Sequence, residues 1–257
     1  MGFHVVIPAR YASSRLPAKP LLDIGGKPML QHVVERAQQS GAASVTVATD
    51  DARIEEAVRA FGGAVCMTAA HHQSGTERLA EAAERLGLAG DDIVVNLQGD
   101  EPLMPPSLLS QVARILDGDH GADMSTLCTR IHTAAELFDP HVVKVVMDRL
   151  GNALYFSRAV IPWDRDAFAV TTEELPEQAV HFRHLGLYAY RVGFLEEYVT
   201  REACDLERME SLEQLRVLWH GGRIHVAEAE QVPGPGVDTA EDLERVRAII
   251  LAERMTG

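Results

Sequence analysis

The sequence predicts an α/β fold in which helices flank a mostly parallel sheet, and two observations support this prediction. Short apolar runs alternate with amphipathic stretches, which is the pattern of βαβ units. The 257 residues, 46% of them hydrophobic, contain no linker rich in Pro, Gly or Ser and no internal repeat. We therefore expect a single domain over residues 1–257, with an inserted antiparallel region at about 142–183.

The parallel strands are assigned to apolar runs that end in small or polar residues. Asp51 is the expected N-cap of a helix that runs through Phe61, and Pro28 and Gly41 bound an earlier helix. A similar helical spacing of apolar residues recurs from Leu108 to Leu116. The predicted strands are Phe3–Pro8, Ser44–Thr49, Ala64–Thr68, Ile93–Gln98 and Met124–Ile131.

From about Val142 the pattern changes to that of an antiparallel hairpin, with apolar runs on both sides of a turn at 149–152. Residues 184–191 and 224–230 are predicted as two further strands. One long helix is expected at about 206–222, between these strands, and a final helix at 240–254. The later part of the chain thus departs from simple βαβ repetition.

Charge and cysteine content exclude several classes of protein. Lys and Arg number 24 against 38 Asp and Glu, a net charge of −14, which argues against nucleic acid or an anionic membrane as the main partner. No apolar run approaches the roughly 18 residues of a spanning helix, and the first residues lack the basic region of a signal peptide. Cys66, Cys128 and Cys204 are widely spaced and odd in number, which indicates a reduced, cytoplasmic compartment.

A basic loop, IPARYASSRLPAKPL at residues 7–21, includes the end of the first predicted strand. Arg10, Arg15 and Lys19 stand among small residues whose backbone N–H groups can face phosphate oxygens. In an α/β sheet this loop lies at the carboxyl end of a strand, where ligands bind. The expected ligand is a small polyanion such as a nucleoside triphosphate. The alternative is an exposed loop that only solvates the strand end.

Two carboxylates are expected near this loop. Asp100 follows a strand in VVNLQGDEP at 94–102, and Asp238 follows another in VPGPGVDT at 232–239. Hard carboxylate oxygens beside a triphosphate imply Mg²⁺. The alternative is that both residues only cap the helices that come after them, with Thr239 as a second candidate for the later cap.

Seven segments occur in order from about residue 3 to 250: IPARYASSRLPAKPL, SGTERLAEA, VVNLQGDEP, LYFSRAVIPWDRD, RHLGLYAYR, LEQLRVLWHG and VPGPGVDT. Together they resemble the 3-deoxy-D-manno-octulosonate (Kdo) cytidylyltransferase family. The resemblance implies a Rossmann-like nucleotidyltransferase fold and transfer of CMP from CTP to the anomeric hydroxyl of Kdo, with release of pyrophosphate. It also implies Mg²⁺ dependence, a homodimer and a cytoplasmic step of lipopolysaccharide synthesis. Ala18 departs from the family pattern, which more often has glycine there.

The resemblance further implies which residues meet each substrate. Without it, each of His184, Tyr188, Glu210 and Gln214 has an equally simple structural explanation. The residues implied for catalysis are Arg10, Arg15, Lys19, Asp100 and Asp238, the last two as metal ligands. Those implied for CTP are Pro8, Ala9, Arg10, Arg15, Lys19, Thr49, Asp50, Ser74, Gly75 and Gln98. Those implied for the acid sugar are Arg78, Gln98, His184, Tyr188, Glu210 and Gln214.

Two other functions stay open at this point. One is a cytidylyltransferase for a different acid sugar, such as a sialic acid or an amino analogue of Kdo. The other is a non-catalytic nucleotide-binding regulatory domain, although a pure binder needs no pair of metal carboxylates. The inserted region, with Trp163 and Phe168, carries more apolar surface than a lone hairpin can bury, which predicts a two-fold interface.

Overall fold

The computed structural model of the protein describes residues 2–12, 16–118, 121–176 and 180–256. Within these ranges, nine strands form one sheet and two more form a small separate ribbon. The strands are β1 (Phe3–Ala9), β2 (Asp23–Ile24), β3 (Lys27–Pro28), β4 (Ser44–Thr49), β5 (Ala64–Met67), β6 (Ile93–Asn96), β7 (Met124–Arg130), β8 (Lys144–Met147), β9 (Ala153–Ser157), β10 (Phe182–Arg191) and β11 (Ile224–Glu228).

The sheet is mostly parallel, as predicted. Its main order is β11-β7-β10-β6-β1-β4-β5, with β8 on β10 and β9 on β8. β1 lies parallel to β4 and β6, β4 to β5, and β11 to β7, whereas β10 is antiparallel to β6 and β7. The predicted parallel strands are all present and differ from prediction only at their last residues.

Helices cover both faces of the sheet because successive strand residues point in opposite directions. Val5 and Ile7 pack against the helices on one face of the sheet, whereas Val6 packs against the helices on the other face. No helix in the described ranges combines the length and apolarity needed to cross a membrane. The helices are α1 (Met29–Gln38), α2 (Ala52–Ala60), α3 (Gly75–Arg85), α4 (Pro106–Gly118), α5 (Ala134–Phe138), α6 (Val192–Tyr198), α7 (Asp205–Glu210), α8 (Gln214–Trp219) and α9 (Ala240–Thr256).

β10 changes neighbours halfway along its length. Its second half, from Tyr188 to Arg191, pairs with β6, whereas Phe182 and Arg183 pair with β8 of the predicted hairpin. The register against β7 shifts between Leu185 and Tyr188. The hairpin itself, β8 and β9, is antiparallel as predicted. The sheet is therefore irregular where β6 gives way to the hairpin, beside the cleft described below.

The long helix predicted at 206–222 is wrong, because the chain divides there into α7 and α8. Ser211 adopts a left-handed conformation with φ 52° and ψ 51°. The N–H groups of Ser211 and Leu212 both bond to the Glu207 carbonyl, which closes α7. The apolar period continues across the break, so sequence periodicity alone did not reveal it. Glu210 and Gln214 consequently do not lie one turn apart on one helix.

Ala18 lies in the left-handed region, with φ 56° and ψ 26°, just before a short 3₁₀ turn at Lys19–Leu21. A β-carbon in this conformation costs about 1–2 kcal/mol. We expect Ala18→Gly to raise the free energy of unfolding by about 1 kcal/mol and Tm by about 2–4 °C, since the greater freedom of unfolded glycine offsets part of the gain. Thermal melting checks this, with Ala12→Gly in the same loop as a control that should lower Tm. An unchanged or lower Tm for Ala18→Gly contradicts the prediction.

Candidate active site

The carboxyl ends of β1 and β6 and the loops after them enclose a cleft of about 440 Å³, here called the basic chamber. The two loops pass closely, since a Cβ at Gly99 would lie 3.2 Å from the Pro8 carbonyl oxygen. Arg15 lies outside the described residues. The structure thus brings together most of the residues implied for CTP and both predicted metal ligands. The chamber is lined by Pro8, Ala9, Arg10, Ala12, Lys19, Pro20, Met29, Gly75, Gln98, Gly99, Asp100 and Asp238.

Lys19 lies between the two aspartates. Its Nζ donates to Asp100 Oδ2 at 2.7 Å, to Asp238 Oδ1 at 3.1 Å and to the Val237 carbonyl at 2.8 Å. Burial alone would lower the Lys19 pKa, but Asp100 and then Asp238 outweigh burial and raise it above its usual value. Lys19 is therefore charged at neutral pH and holds three loops together at the carboxyl edge of the sheet.

Asp100 and Asp238, the two predicted metal ligands, lie on either side of the Lys19 ammonium. An oxygen of each carboxylate lies within hydrogen-bond distance of the same ammonium, so the two converge on one point. Two carboxylates together with phosphate oxygens are a suitable ligand set for Mg²⁺. Helix capping does not account for Asp238, because Thr239 Oγ1 accepts from the Asp242 N–H and Asp242 accepts from the Thr239 N–H at the start of α9.

Glu101 adds a third carboxyl group beside this pair. Burial and, to a smaller extent, the charges of Asp100 and Asp238 together raise its pKa to about 8, against the opposing effects of Lys19 and Arg183. Glu101 is therefore largely protonated at neutral pH. A neutral Glu101 leaves the negative charge at this edge of the sheet on the two aspartates.

The residues implied for the cytidine part lie where β4 and β5 end. Ser74 caps α3 by accepting from the Glu77 N–H at 3.1 Å. Asp50 pairs with Arg78, whose Nη2 lies 2.9 Å from the Asp50 carboxylate and whose side chain is 1% exposed. Thr49 lies buried at the end of β4.

Arg78, which the resemblance implies for the acid sugar, has its guanidinium buried against Asp50 and Thr68. It does not line the basic chamber, and its role toward the sugar stays a prediction. Burial lowers its pKa, and the Asp50 charge opposes that effect. An ion pair with Asp50, one residue after β4, explains why a helical arginine turns inward rather than toward His184 and Tyr188.

The basic chamber continues into a middle chamber of about 370 Å³, and the two share Arg10, Gly75 and Gln98. Tyr188 and Gln214, both implied for the sugar, line this chamber. The side-chain Nε2 of Gln214 is buried and has no hydrogen-bond partner among the described residues. A buried donor without a partner is costly, so this amide is suited to a ligand oxygen.

Glu213 is a candidate that the sequence did not reveal. It lines the middle chamber, where its carboxylate accepts from the Thr76 hydroxyl at 2.8 Å and burial raises its pKa. Glu210, which the resemblance implies for the sugar, bonds to Ser157 and Arg158 of the hairpin arm, the name used here for residues 144–158, and lines neither the basic nor the middle chamber. The break at Ser211 separates the two glutamates. In the sequence, the position of Glu213 next to Gln214 is the one indication that Glu213 lies at the cleft.

A far chamber of about 540 Å³ follows, and it shares Tyr188 and Gln214 with the middle chamber. His184 lines it, with its Nε2 3.0 Å from Thr126 Oγ1. Since the single proton of the Thr126 hydroxyl goes to a backbone carbonyl, His184 donates through Nε2 and keeps Nδ1 as an acceptor. Burial lowers the His184 pKa to about 3, so the ring is neutral. It therefore offers an acceptor for a hydroxyl rather than a cation for a carboxylate.

Comparison with known proteins agrees with this geometry. The family model described as Cytidylyltransferase matches residues 4–224. The 3-deoxy-manno-octulosonate cytidylyltransferase of Histophilus somni (strain 129Pt) is 58% identical over 254 residues, which cover 97% of this chain and 99% of the relative. The enzyme of the same name from Coxiella burnetii (strain RSA 493 / Nine Mile phase I) is 57% identical over 248 residues, covering 96% and 99%.

Solved structures extend the comparison. A CMP:2-keto-3-deoxy-manno-octonic acid synthetase complexed with CTP superposes with a TM-score of 0.89 at 47% identity, covering 98% of this chain and 100% of the other. A 4-diphosphocytidyl-2C-methyl-D-erythritol synthase, at a TM-score of 0.63 and 13% identity over 97% and 99% of the chains, shares the fold alone. The predicted nucleotidyltransferase fold is confirmed. The chain belongs to the cytidylyltransferase family, and within it to the 3-deoxy-manno-octulosonate cytidylyltransferases.

Proposed function

We propose that this protein transfers CMP from CTP to the anomeric hydroxyl of Kdo and releases pyrophosphate. The observation that carries the proposal is the joined cleft. A basic chamber with two converging aspartates leads through Arg10 and Gln98 into chambers whose walls carry several hydrogen-bonding groups, among them Tyr188, Gln214 and His184. A nucleoside triphosphate suits the first chamber, and a hydroxyl-rich sugar suits the others. The identity to named relatives selects Kdo among acid sugars.

The residues of the basic chamber act by position and charge. The sugar hydroxyl attacks the α-phosphorus in line and loses its proton to water, the bond between the α-phosphorus and the oxygen that bridges to the β-phosphorus breaks, and pyrophosphate leaves with the electron pair of that bond. Arg10 and Lys19 offset the negative charge on the leaving group. Asp100 and Asp238 would hold Mg²⁺, which supplies further charge neutralisation and lowers the pKa of the attacking hydroxyl.

Pyrophosphate release tests this function against its alternatives. We expect release from CTP with Mg²⁺ to depend on Kdo and to be slower with an amino analogue of Kdo or a sialic acid. Faster release with either of the others would reassign the sugar. Nucleotide binding without release in the presence of any acid sugar would instead support a regulatory domain.

His184→Ala is expected to raise the KM for the sugar by about tenfold and to leave the KM for CTP nearly unchanged. The neutral imidazole loses one hydrogen bond to a sugar hydroxyl, and one such bond accounts for about 1 kcal/mol or somewhat more. Steady-state kinetics with each substrate varied in turn provide the measurement. An equal rise in both KM values contradicts the assignment.

A homodimer is proposed from the exposed apolar residues around the hairpin. Leu154 of β9 is 62% exposed and Trp163 is 55% exposed. Phe168, by contrast, is buried with Ile131 and Leu137, so it does not contribute to this surface as the sequence had suggested. Exposed apolar area of this kind suits a second copy of the chain. Sedimentation should show a dimer at micromolar concentration that Leu154→Glu dissociates, and a wild-type monomer contradicts the proposal.

A cytoplasmic location and a role in lipopolysaccharide synthesis complete the proposal. Cys66, Cys128 and Cys204 are free and buried in the structure, which suits a reducing compartment. The lipopolysaccharide role rests on Kdo as the acceptor. Cell fractionation checks the location, and recovery mainly outside the cytoplasm would overturn it.

A further inference from the structure

Glu210 ends α7 and turns its side chain toward the hairpin arm, away from the cleft. Its Oε1 accepts from the Ser157 hydroxyl at 2.6 Å, and its Oε2 accepts from the Arg158 N–H at 2.9 Å. The Arg158 guanidinium donates through Nε to the Glu210 carbonyl at 2.7 Å. Three short bonds thus join the last residue of α7 to the end of β9. Bonds of this kind to a charged carboxylate are among the stronger ones in proteins.

The residues directly after Glu210 form a wall of the cleft. Ser211, in its left-handed conformation, lines the middle chamber together with Glu213. Leu212 and Gln214 line both the middle and the far chamber. A left-handed serine is an unfavourable conformation that surrounding contacts must maintain. The contacts of Glu210 lie immediately before this residue.

Arg158 also bonds to the segment that forms another wall of the far chamber. Its Nη1 donates to the Pro140 carbonyl at 3.1 Å. His141 and Val142, the next residues, line the far chamber. Lys144, which is fully buried, donates to the Val142 carbonyl at 2.6 Å and supports the same segment. The hairpin arm therefore carries bonds to both walls of the chambers implied for the sugar.

We propose that Glu210 is a positioning residue for the acid-sugar subsite: by binding Ser157 and Arg158, it fixes the turn at Ser211 and thereby the placement of Glu213 and Gln214. Its effect on the sugar is exerted through these neighbours and not by contact. The proposal rests on the proposed function, because it concerns the sugar chambers of that same cleft. Glu210, Ser157 and Arg158 do not line the basic chamber, so the KM for CTP should depend on them much less than the KM for the sugar.

Four variants and one control test the proposal. We expect Glu210→Ala to raise the KM for Kdo by on the order of tenfold and Ser157→Ala to raise it by on the order of threefold, with the KM for CTP unchanged. The double variant should show less than the product of the two effects, because both remove the same link. Glu210→Gln should recover part of the loss, since its amide oxygen still accepts from the Arg158 N–H. Glu197→Ala on α6 is the matched control. It removes an ion pair with Arg201 and should change neither KM.

Ser157→Ala separates positioning from contact, since it leaves the Glu210 carboxylate in place. A raised KM for Kdo in Glu210→Ala with an unchanged value in Ser157→Ala overturns the proposal in favour of direct contact. Unchanged KM values in both variants also overturn it. Hydrogen exchange at residues 211–214, expected to be faster in Ser157→Ala, tests the link without turnover, and unchanged exchange there counts against it. If wild-type protein uses no acid sugar, the proposed function fails while this exchange result still decides whether the link exists.

Discussion

Asp100→Asn is expected to lower kcat by about a hundredfold or more. The substitution keeps the volume of the side chain but removes the charge of one of the two carboxylates that would hold Mg²⁺ in the proposed mechanism. Loss of an electrostatic element that acts mainly in the transition state costs on the order of 3 kcal/mol. CTP affinity measured without sugar should change much less, because Arg10 and Lys19 remain. Steady-state kinetics at saturating Mg²⁺, with CTP titration by calorimetry, provide the measurements.

The control for Asp100→Asn is stability, since the variant also weakens a partly exposed ion pair with Lys19. Such a pair contributes about 1 kcal/mol or less, so Tm should fall by no more than a few degrees. Asp148→Asn, which disturbs the hairpin turn where Asp148 accepts from the Leu150 and Asn152 N–H groups, lies outside the basic chamber and should affect Tm more than kcat. Turnover near the wild-type rate in Asp100→Asn with excess Mg²⁺ would contradict the proposal that Asp100 and Asp238 together hold a catalytic metal ion.

Sequence patterns located the sheet edge of the site but not all of its walls. Buried parallel strands are near-continuous apolar runs, so β1, β4 and β6 could be predicted from the sequence. Because ligands bind at the carboxyl ends of such strands, Asp100 was predicted to lie beside the basic loop. Lys19 lies 81 positions from Asp100 and 219 from Asp238, so their contact depends on strand order, which local pattern does not encode.

The sugar side was less predictable because it depends on local backbone conformation. Apolar spacing continues through Ser211 although the helix stops there. Because of this turn, Glu213 and not Glu210 lines the middle chamber. The direction of the Arg78 side chain was also not predictable, because a position on a helix does not show whether the guanidinium turns inward to pair with Asp50. In each case one contact between distant segments, and not propensity, decides which side chain meets the cleft.

Lys19→Met is expected to have two opposite effects. Without the ammonium, the triphosphate loses a charge-assisted partner that contributes about 1.5–3 kcal/mol, so the KM for CTP should rise by on the order of tenfold to a hundredfold. The same change leaves Asp100 and Asp238 without the cation that neutralises them. Free protein should therefore bind a divalent ion more tightly, because the ion no longer competes with Lys19 for both carboxylates.

Steady-state kinetics and calorimetric titration of nucleotide-free protein with MnCl₂ measure the two effects separately. Lys27→Met, which removes an ion pair with Glu35 outside the basic chamber, is the matched control and should change neither. Since the pKa of Lys19 lies above 10.5, its contribution is complete below that pH and is lost only as the pH rises beyond it. The difference between variant and wild type should therefore be constant from about pH 6 to 9. Weaker Mn²⁺ binding by Lys19→Met than by wild type would show that the two aspartates do not share one ion.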